Sequence, residues 1–485
     1  MLDYLPYAAG VITAVVVVLT GGRWFRRTAW RLGLIDGPKL RGVHAEPVAK
    51  SGGMAIVAAL IASLLAQMVA ARALGLESAY LNDVNHLYLL LPALAIAGLG
   101  LLDDIHPLGA PPKLLVQASA GVVAWFLTFK ISGIAVGESA WMMPDVLSLP
   151  LTVVFIVAVT NAYNMIDGVD GLCSGAAFIA LVGIGVFATS GGEFHLELAL
   201  PLGAAALAFM RFNFGKPKAF LGDSGSMLLG FLVATLALRA VVTPAGAIDV
   251  IPLFLLLSLP VVDITFVFFR RLLQGTSPLR ADRGHIHHIL LLQFEGNSLR
   301  TSLTLLFMAA LGAAGAMWFK RYSGGDWTVS QATIAGVALA LPLGLYYAVY
   351  AIGGYASWRN LRNAGAATDA AHEMAVLAEE IGAESGLRDE ALIDWMELTQ
   401  VTAIALFDED DQRVWSAGLP DPNRDQLNIP LYASGRVERG RLIMQGAGRV
   451  GRLAFAAHLL LPLYPAFMEL LALQTAEKTR VETHV

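Results

Sequence analysis

Four short polar runs interrupt an otherwise apolar chain, and their residue types point to one kind of chemistry. The first is Asp103 and Asp104 in Gly100-Leu-Leu-Asp-Asp-Ile-His, followed by Lys113 in a proline-rich turn. Adjacent carboxylates repel, so one of them must meet a cation or hold a proton, which suits a metal site or a general base. A solvated helix end is the plainer alternative. The second run, Asn161-Ala-Tyr-Asn164-Met-Ile-Asp167-Gly-Val-Asp170-Gly-Leu, places amides and carboxylates directly after an apolar helix. Spacing by three puts Asn161, Asn164 and Asp167 on nearly one face if the helix continues, and such a face offers oxygens to a hard cation, a nucleobase or a ribose. A capping turn needs one Asp or Asn, not four.

The third run is Phe220-Leu-Gly222-Asp223-Ser224-Gly225-Ser226, shortly after Arg211, Asn213 and Lys216. Its glycines let backbone approach a phosphate, and its hydroxyls and Asp223 can serve Mg²⁺ and its bound oxygens. Alone it also reads as a helix N-cap. Its likeness to a serine protease signature lacks a matching triad order. The fourth, Arg283-Gly-His285-Ile-His287-His288, suggests zinc at first sight. No cysteine lies nearby, however, and the basic neighbours Arg280 and Arg283 suit a pyrophosphate or lipid phosphate better.

Elements that carry these runs must be membrane helices. Of 485 residues, 56% are hydrophobic and 15% charged, with mean hydropathy +0.63, too apolar for an ordinary soluble domain. The net charge of −5 and the scattered basic clusters argue against nucleic acid as a partner. The single cysteine, Cys173, cannot form an intrachain disulfide. The apolar run from Leu5 to Thr20 lacks the basic leader and cleavage site of a signal peptide and reads as a retained span. Apolar windows centre near Val15, Leu60, Ala95, Val122, Phe155, Val182, Ala206, Val233, Leu257, Ala309 and Leu339, giving about eleven helices.

Arg23, Arg26, Arg27, Arg31, Lys39, Arg41 and Lys50 fill the first connection, which the positive-inside rule makes cytoplasmic. The N-terminus is then outside. All four polar runs follow odd-numbered helices and so meet on the cytoplasmic face, where carboxylates and amides beside Lys, Arg and His form a kit for phosphoryl transfer. A transporter or flippase would instead carry its acids near the midplane. The clearest mid-span acid is Asp263, which reads equally as a packing hydrogen bond or a site-lining group. After Trp358 charged residues appear throughout and the apolar pattern becomes periodic. The expected fold is therefore an all-α polytopic membrane domain over 1–355, with a small C-terminal α/β cytoplasmic domain over 356–485. In that tail Asp369 to Leu398 has helical spacing, Val401 to Phe407 and Leu427 to Tyr432 read as strands, and Asp408 to Gln412 as a turn. Its element order is faintly GAF-like or PAS-like. The run from Leu453 to Leu473, interrupted by His458, Pro462, Pro465 and Glu469, reads as a packed or surface-lying helix rather than a twelfth span.

With these motifs in place, residues 1 to 355 resemble the polyprenyl-phosphate N-acetylhexosamine-1-phosphate transferases. The His285-Ile-His287-His288 form, after Gly275-Thr-Ser-Pro278 and Asp282-Arg283, is most similar to the undecaprenyl-phosphate GlcNAc-1-phosphate transferase branch. Arg41, His44, Lys50 and Gly52-Gly53 resemble the family's basic segment before its second helix. The resemblance implies a UDP-sugar donor, a polyprenyl phosphate acceptor, a bacterial inner membrane location, and Mg²⁺, with Mn²⁺ as a substitute. It implies metal ligation by Asp223 and Asn164, and Asp103 as base or orienting carboxylate tuned by Asp104 and Lys113. Asp167 and Asp170 would shape the nucleotide pocket, with Asn161 and Asn213 along the same cleft, and Arg283, His285, His287 and His288 would hold the donor pyrophosphate or sugar. UDP-GlcNAc is favoured over another N-acetylhexosamine or UDP-MurNAc-pentapeptide. Direct in-line displacement and a covalent aspartyl-phosphate both remain open, a homodimer is a permitted assembly, and a partner for the tail is undefined.

Overall fold

The computed structural model describes residues 4–36, 47–76, 85–136, 139–188, 196–215, 217–273, 285–294, 296–322, 336–337, 340, 344, 346–348, 401–408, 413–418, 425–432 and 438–446. The chain divides into two compact units, Met1–Tyr350 and Ala351–Val485. In the first, apolar runs without water to hydrate their backbones satisfy every N–H and C=O internally as helices. They are α1 (Leu5–Arg31), α2 (Gly52–Ala73), α3 (Asn85–Ile105), α4 (Ala110–Phe126), α5 (Asp145–Ile166), α6 (Leu172–Ala188), α7 (Leu196–Asn213), α8 (Gly222–Ala240), α9 (Val250–Leu256), α10 (Ser258–Leu273), α11 (Ile286–Gln293) and α12 (Ser298–Tyr322).

Among the described residues seven helices are long and apolar enough to cross a membrane, or eight if the bent pair α9 and α10 is one span. The expected count of about eleven is therefore met only in part. The windows near Val122 and Val182 became the 17-residue helices α4 and α6, just short of a full crossing. The window at Leu257 is broken by a 92° bend, because Pro260 has no N–H to give the Leu256 carbonyl and its ring crowds that carbonyl. Of the window at Leu339 the few described residues are helical.

Helix α8 is the core. Met227, Leu228, Leu229, Phe231, Leu232, Val233 and Ala234 are all fully buried, and α2, α3, α5 and α6 pack around it. Small residues set the crossings. A Cβ on Gly230 would lie 2.9 Å from Thr160 Cα of α5, and one on Gly100 of α3 would lie 2.5 Å from the Asp223 carbonyl of α8.

The first unit is not purely helical, since short strands tie helix ends together. β1 (Ile35–Asp36), β2 (Val48–Lys50) and β5 (Ala219–Phe220) form one three-stranded sheet, in which β2 and β5 are parallel with Ala49 opposite Ala219 and Lys50 opposite Phe220. β3 (Gly133–Val136), β4 (Ser139–Met142) and β6 (Ile248–Asp249) form another. These segments of two to four residues are too short to show a periodic signal in sequence.

In the second unit, β7 (Val401–Asp408), β8 (Arg413–Gly418), β9 (Asp425–Tyr432) and β10 (Glu438–Gly446) make an antiparallel sheet ordered β8-β7-β10-β9. Both expected strands fall in it, and β8 and β10 were not anticipated. The helix expected over Asp369 to Leu398 and the run from Leu453 to Leu473 lie outside the described residues, and of the turn expected over Asp408 to Gln412 only Asp408 is described, as the last residue of β7.

Candidate active site

The parallel β2–β5 pairing continues as Ser51 N to Phe220 O, 3.1 Å, and Gly53 N to Leu221 O, 3.0 Å. It therefore sets the start of α2 beside the start of α8. Gly222 turns the chain into α8 with φ +76°, a conformation that suits glycine. A Cβ there would also lie 2.6 Å from Asp104 Oδ2. Asp104, at the end of α3, closes this junction. Its Oδ1 accepts from Asp223 N and its Oδ2 from Ser224 N, both at 3.1 Å. Two first-turn N–H groups that the helix itself leaves unpaired are thus satisfied by a carboxylate from a neighbouring helix. Lys50 Nζ lies 3.1 Å from the same carboxylate, whose side chain is fully buried. Burial alone would pull the Lys50 ammonium down, but Asp104, then Asp223 and Asp36, outweigh it and hold it above its ordinary value.

Asp103 faces a different partner. Its Oδ1 accepts from Leu108 N at 2.6 Å, tying down the turn into α4. Its Oδ2 pairs with the Lys113 ammonium, which also lies 3.4 Å from Asp223 Oδ2. One cation thus stands between two carboxylates. Asp103 is 7% exposed at its side chain and Asp223 30%, so Asp223 is the more open of the two.

One turn into α8, Ser226 Oγ donates to Asn164 Oδ1 at 2.7 Å, which sets the end of α5 beside Asp223. Asp167, just past that helix, is half-buried. Burial, then the nearby carboxylates of Asp223 and Asp104, push its carboxyl well above the usual range, with Lys50 opposing. Three further expected site residues also have polar atoms engaged by protein. Asn161 Nδ2 donates to Gln117 Oε1 at 2.6 Å and to Val157 O at 2.7 Å. Asn213 accepts from Gly171 N at 2.7 Å and donates to Ala219 O at 3.0 Å. Asp170 accepts from Ser298 Oγ at 2.8 Å, while its carbonyl accepts from Ser302 Oγ at 2.7 Å. These bonds fix the 167–171 loop against α7 and α12.

His285 and His287 are buried and His288 is half-buried. His285 Nδ1 lies 2.9 Å from Asp263 Oδ2. His287 packs against the second run, its Nε2 3.3 Å from where a Gly168 Cβ would stand. Its Nδ1 has no hydrogen-bond partner among the described residues. Burial pushes its imidazole down to about 3, so it is neutral in any physiological medium. Arg283, like Arg41, His44 and Lys216, lies outside the described residues.

Lys50, Asp103, Asp104, Lys113, Asn164, Asp167 and Asp223 therefore gather at one end of the bundle, with the histidine helix against the adjoining loop. Sequence reasoning gave Gln117 no role, and it read the hydroxyl of Ser226 as serving a metal and its oxygens, whereas that hydroxyl donates to Asn164. Gln117 sits at i+4 from Lys113, the spacing that places it on the same helical face. Among the described residues no three His, Cys, Asp or Glu side chains converge as a ready metal cage. Mg²⁺ does not require one, since it takes one or two protein oxygens together with substrate phosphates and water. The Asp223 carboxylate and the Asn164 amide oxygen, on adjoining helix ends, fit that donor set.

The sequence pattern of glycosyl transferase family 4 matches residues 86–241, which carry three of the four runs. The chain is 32% identical over 304 residues to a probable undecaprenyl-phosphate N-acetylglucosaminyl 1-phosphate transferase of Bacillus subtilis (strain 168), covering 61% of this chain and 80% of that protein. It is 31% identical over 343 residues to the decaprenyl-phosphate N-acetylglucosaminephosphotransferase of Mycolicibacterium smegmatis, covering 64% and 81%. With the undecaprenyl-phosphate alpha-N-acetylglucosaminyl 1-phosphate transferase of Escherichia coli (strain K12) it shares 28% identity over 292 residues, covering 59% and 76%.

Proposed function

The chain belongs to glycosyl transferase family 4, and from that premise we propose that it transfers N-acetylglucosamine-1-phosphate from UDP-GlcNAc to undecaprenyl phosphate. The products are the lipid-linked pyrophosphoryl sugar and UMP, and the reaction would initiate a cell-envelope polysaccharide. The observation that carries the reading is the single Lys113 ammonium held between Asp103 and Asp223, beside Asn164 and Lys50, at the ends of several apolar helices. Such a site offers oxygens to a cation and cations to phosphates within one cleft. A transporter would hold its acids near the middle of its spans.

Asp223 and Asn164 would hold Mg²⁺, for which Mn²⁺ can substitute. The ion would supply charge neutralisation on the diphosphate oxygens. Asp103 orients Lys113 and acts as base or orienting carboxylate for the acceptor phosphate, while Asp104 keeps the Asp223 turn and Lys50 in place. Asp167 faces the nucleotide from a loop that Asp170 and Asn213 brace, and Asn161 with Gln117 supports the floor. His288 with Arg283 takes the donor phosphates, and His285 and His287 underlie them. A phosphate oxygen of the acceptor attacks the β-phosphorus, the bond from that phosphorus to the bridging oxygen breaks, and UMP departs with the oxygen. The acceptor is already an anion, so positioning and charge neutralisation suffice for direct displacement. A covalent intermediate on Asp103 or Asp223 is the competing scheme, and only the direct route shows no exchange of UMP into the donor without acceptor.

The basic first connection supports a cytoplasmic site with the N-terminus outside in a bacterial inner membrane. Residues 356–485 would then be a cytoplasmic module of sensory type. The test is purified protein with undecaprenyl phosphate and labelled UDP-GlcNAc, UDP-GalNAc or UDP-MurNAc-pentapeptide. Metal-dependent lipid label from UDP-GlcNAc with equimolar UMP supports the reading. Label from another donor alone reassigns the sugar, and none from any donor overturns the assignment.

A further inference from the structure

Asp263 belongs to none of the four polar runs, yet it lies just past the α9–α10 break and is only 3% exposed. A carboxylate at such depth is costly unless its oxygens are engaged. Here both oxygens meet donors from two consecutive residues: Oδ1 accepts from Ile286 N at 2.7 Å, and Oδ2 lies 2.9 Å from His285 Nδ1. One side chain thus caps the first turn of α11 and holds the ring that precedes it. His285 in turn stacks on His287, with ring centroids 5.6 Å apart and planes 15° from parallel, and His287 leans on His288 at 4.3 Å.

We propose that Asp263 is the positioning residue of the histidine segment, fixing the tautomer of His285 and the start of α11 and thereby setting where His288 stands in the transferase site. A carboxylate accepts only, so His285 must carry its proton on Nδ1, which leaves Nε2 as the nitrogen able to accept a hydrogen bond or a proton. The break at Leu257 brings Asp263 to this place, since without it the residue would continue along a straight span. The inference rests on the transferase reading, because it takes the histidines to act on the donor.

Asp263→Asn separates positioning from folding. The amide oxygen can still accept from Ile286 N, but the amide nitrogen now faces His285 Nδ1 as a donor, so the ring must move its proton to Nε2. Expected is a fall in kcat/KM of about 10–100-fold, carried by kcat, with an unchanged thermal unfolding midpoint. His285→Ala should lose at least as much, and the double variant no more than His285→Ala alone, because the two residues act as one unit. Nitrogen NMR of histidine-labelled protein should show one imidazole changing from the Nδ1–H to the Nε2–H form in Asp263→Asn. Activity within about twofold of wild type, losses that multiply in the double variant, or an unchanged histidine spectrum would each overturn the inference. Wild-type protein that transfers no sugar phosphate would overturn the transferase reading instead, and the NMR signature would still decide the Asp263–His285 pairing.

Discussion

Replacing Asp104 should unfold the site, whereas replacing Asp223 should only disarm it. Asp104 accepts from Asp223 N and Ser224 N and pairs with Lys50, all at 3.1 Å, with its side chain sealed from solvent. Hydrogen bonds to a charged acceptor are worth roughly 1.5–3 kcal/mol each, and removing one partner of a buried ion pair costs about 3–5 kcal/mol in all. Lys50 keeps 25% of its side chain exposed and can partly rehydrate, so Asp104→Ala should cost about 3 kcal/mol, the lower end of that range. The Asp223 carboxylate lies 3.4 Å from Lys113, stands against the Asp103 carboxyl whose charge opposes its own, and is 30% exposed, so Asp223→Ala should change stability by about 1 kcal/mol or less. Both variants should lose transfer by about 10²-fold or more. Thermal unfolding of the detergent-solubilised protein, run beside the lipid-transfer assay, separates them: Asp104→Ala should melt several degrees lower and Asp223→Ala near wild type. Equal melting of the two, or Asp104→Ala at wild-type stability, would refute the assignment of Asp104 as the cap of α8.

Asp167→Asn should stabilise the ligand-free protein while reducing transfer. Its folded-state carboxyl is raised, so Asp167 costs nothing below its unfolded value near 3.9 and becomes destabilising as pH rises toward the folded value. The melting difference between variant and wild type should therefore grow with pH above about 4 and then level off, and a difference that shrinks with pH would contradict the burial argument. Gly100→Ala places a Cβ 2.5 Å from the Asp223 carbonyl and Ser224 Cα, atoms that cannot rotate away. It should cost about 1–3 kcal/mol and lower kcat more than Gly98→Ala, whose Cβ meets nothing within 4 Å. His287 is already neutral at pH 5, so wild type and His287→Asn should share the acid limb of their kcat profiles between pH 5 and pH 7, read by initial rates.

The membrane unit was legible where physical signals are long. Continuous apolar runs marked the helices, and polar clusters of unusual cost marked the ends that gather at one place. Direction of each side chain was not legible. Asp103 and Asp104 are neighbours in sequence, yet one turns to Lys113 and the other to the start of α8, a division set by the helical rotation between successive residues. Asn161, Asn164 and Asp167 share a spacing, but Asn161 is bound to Gln117 while Asn164 meets Ser226, which depends on which helix stands opposite. Asp263 was visible as a mid-span acid, and its pairing with His285 was not, because 22 residues and a helix break separate them. The edge strands of the two small sheets carry too few residues for any periodicity, and in the second unit β8 and β10 escaped because Gly and charged residues mask their alternation.

The central claim is that Asp223 and Asn164 bind a divalent cation jointly with the donor diphosphate, beside Lys113 and Asp103. Electron paramagnetic resonance of Mn²⁺ titrated into purified protein with UDP-GlcNAc tests it most directly. The account predicts one tightly held ion per active site whose signal is lost in Asp223→Asn and weakened in Asn164→Ala, while Asp170→Asn retains it. Tight Mn²⁺ binding that survives Asp223→Asn would contradict the account and move the metal, and with it the reaction, elsewhere.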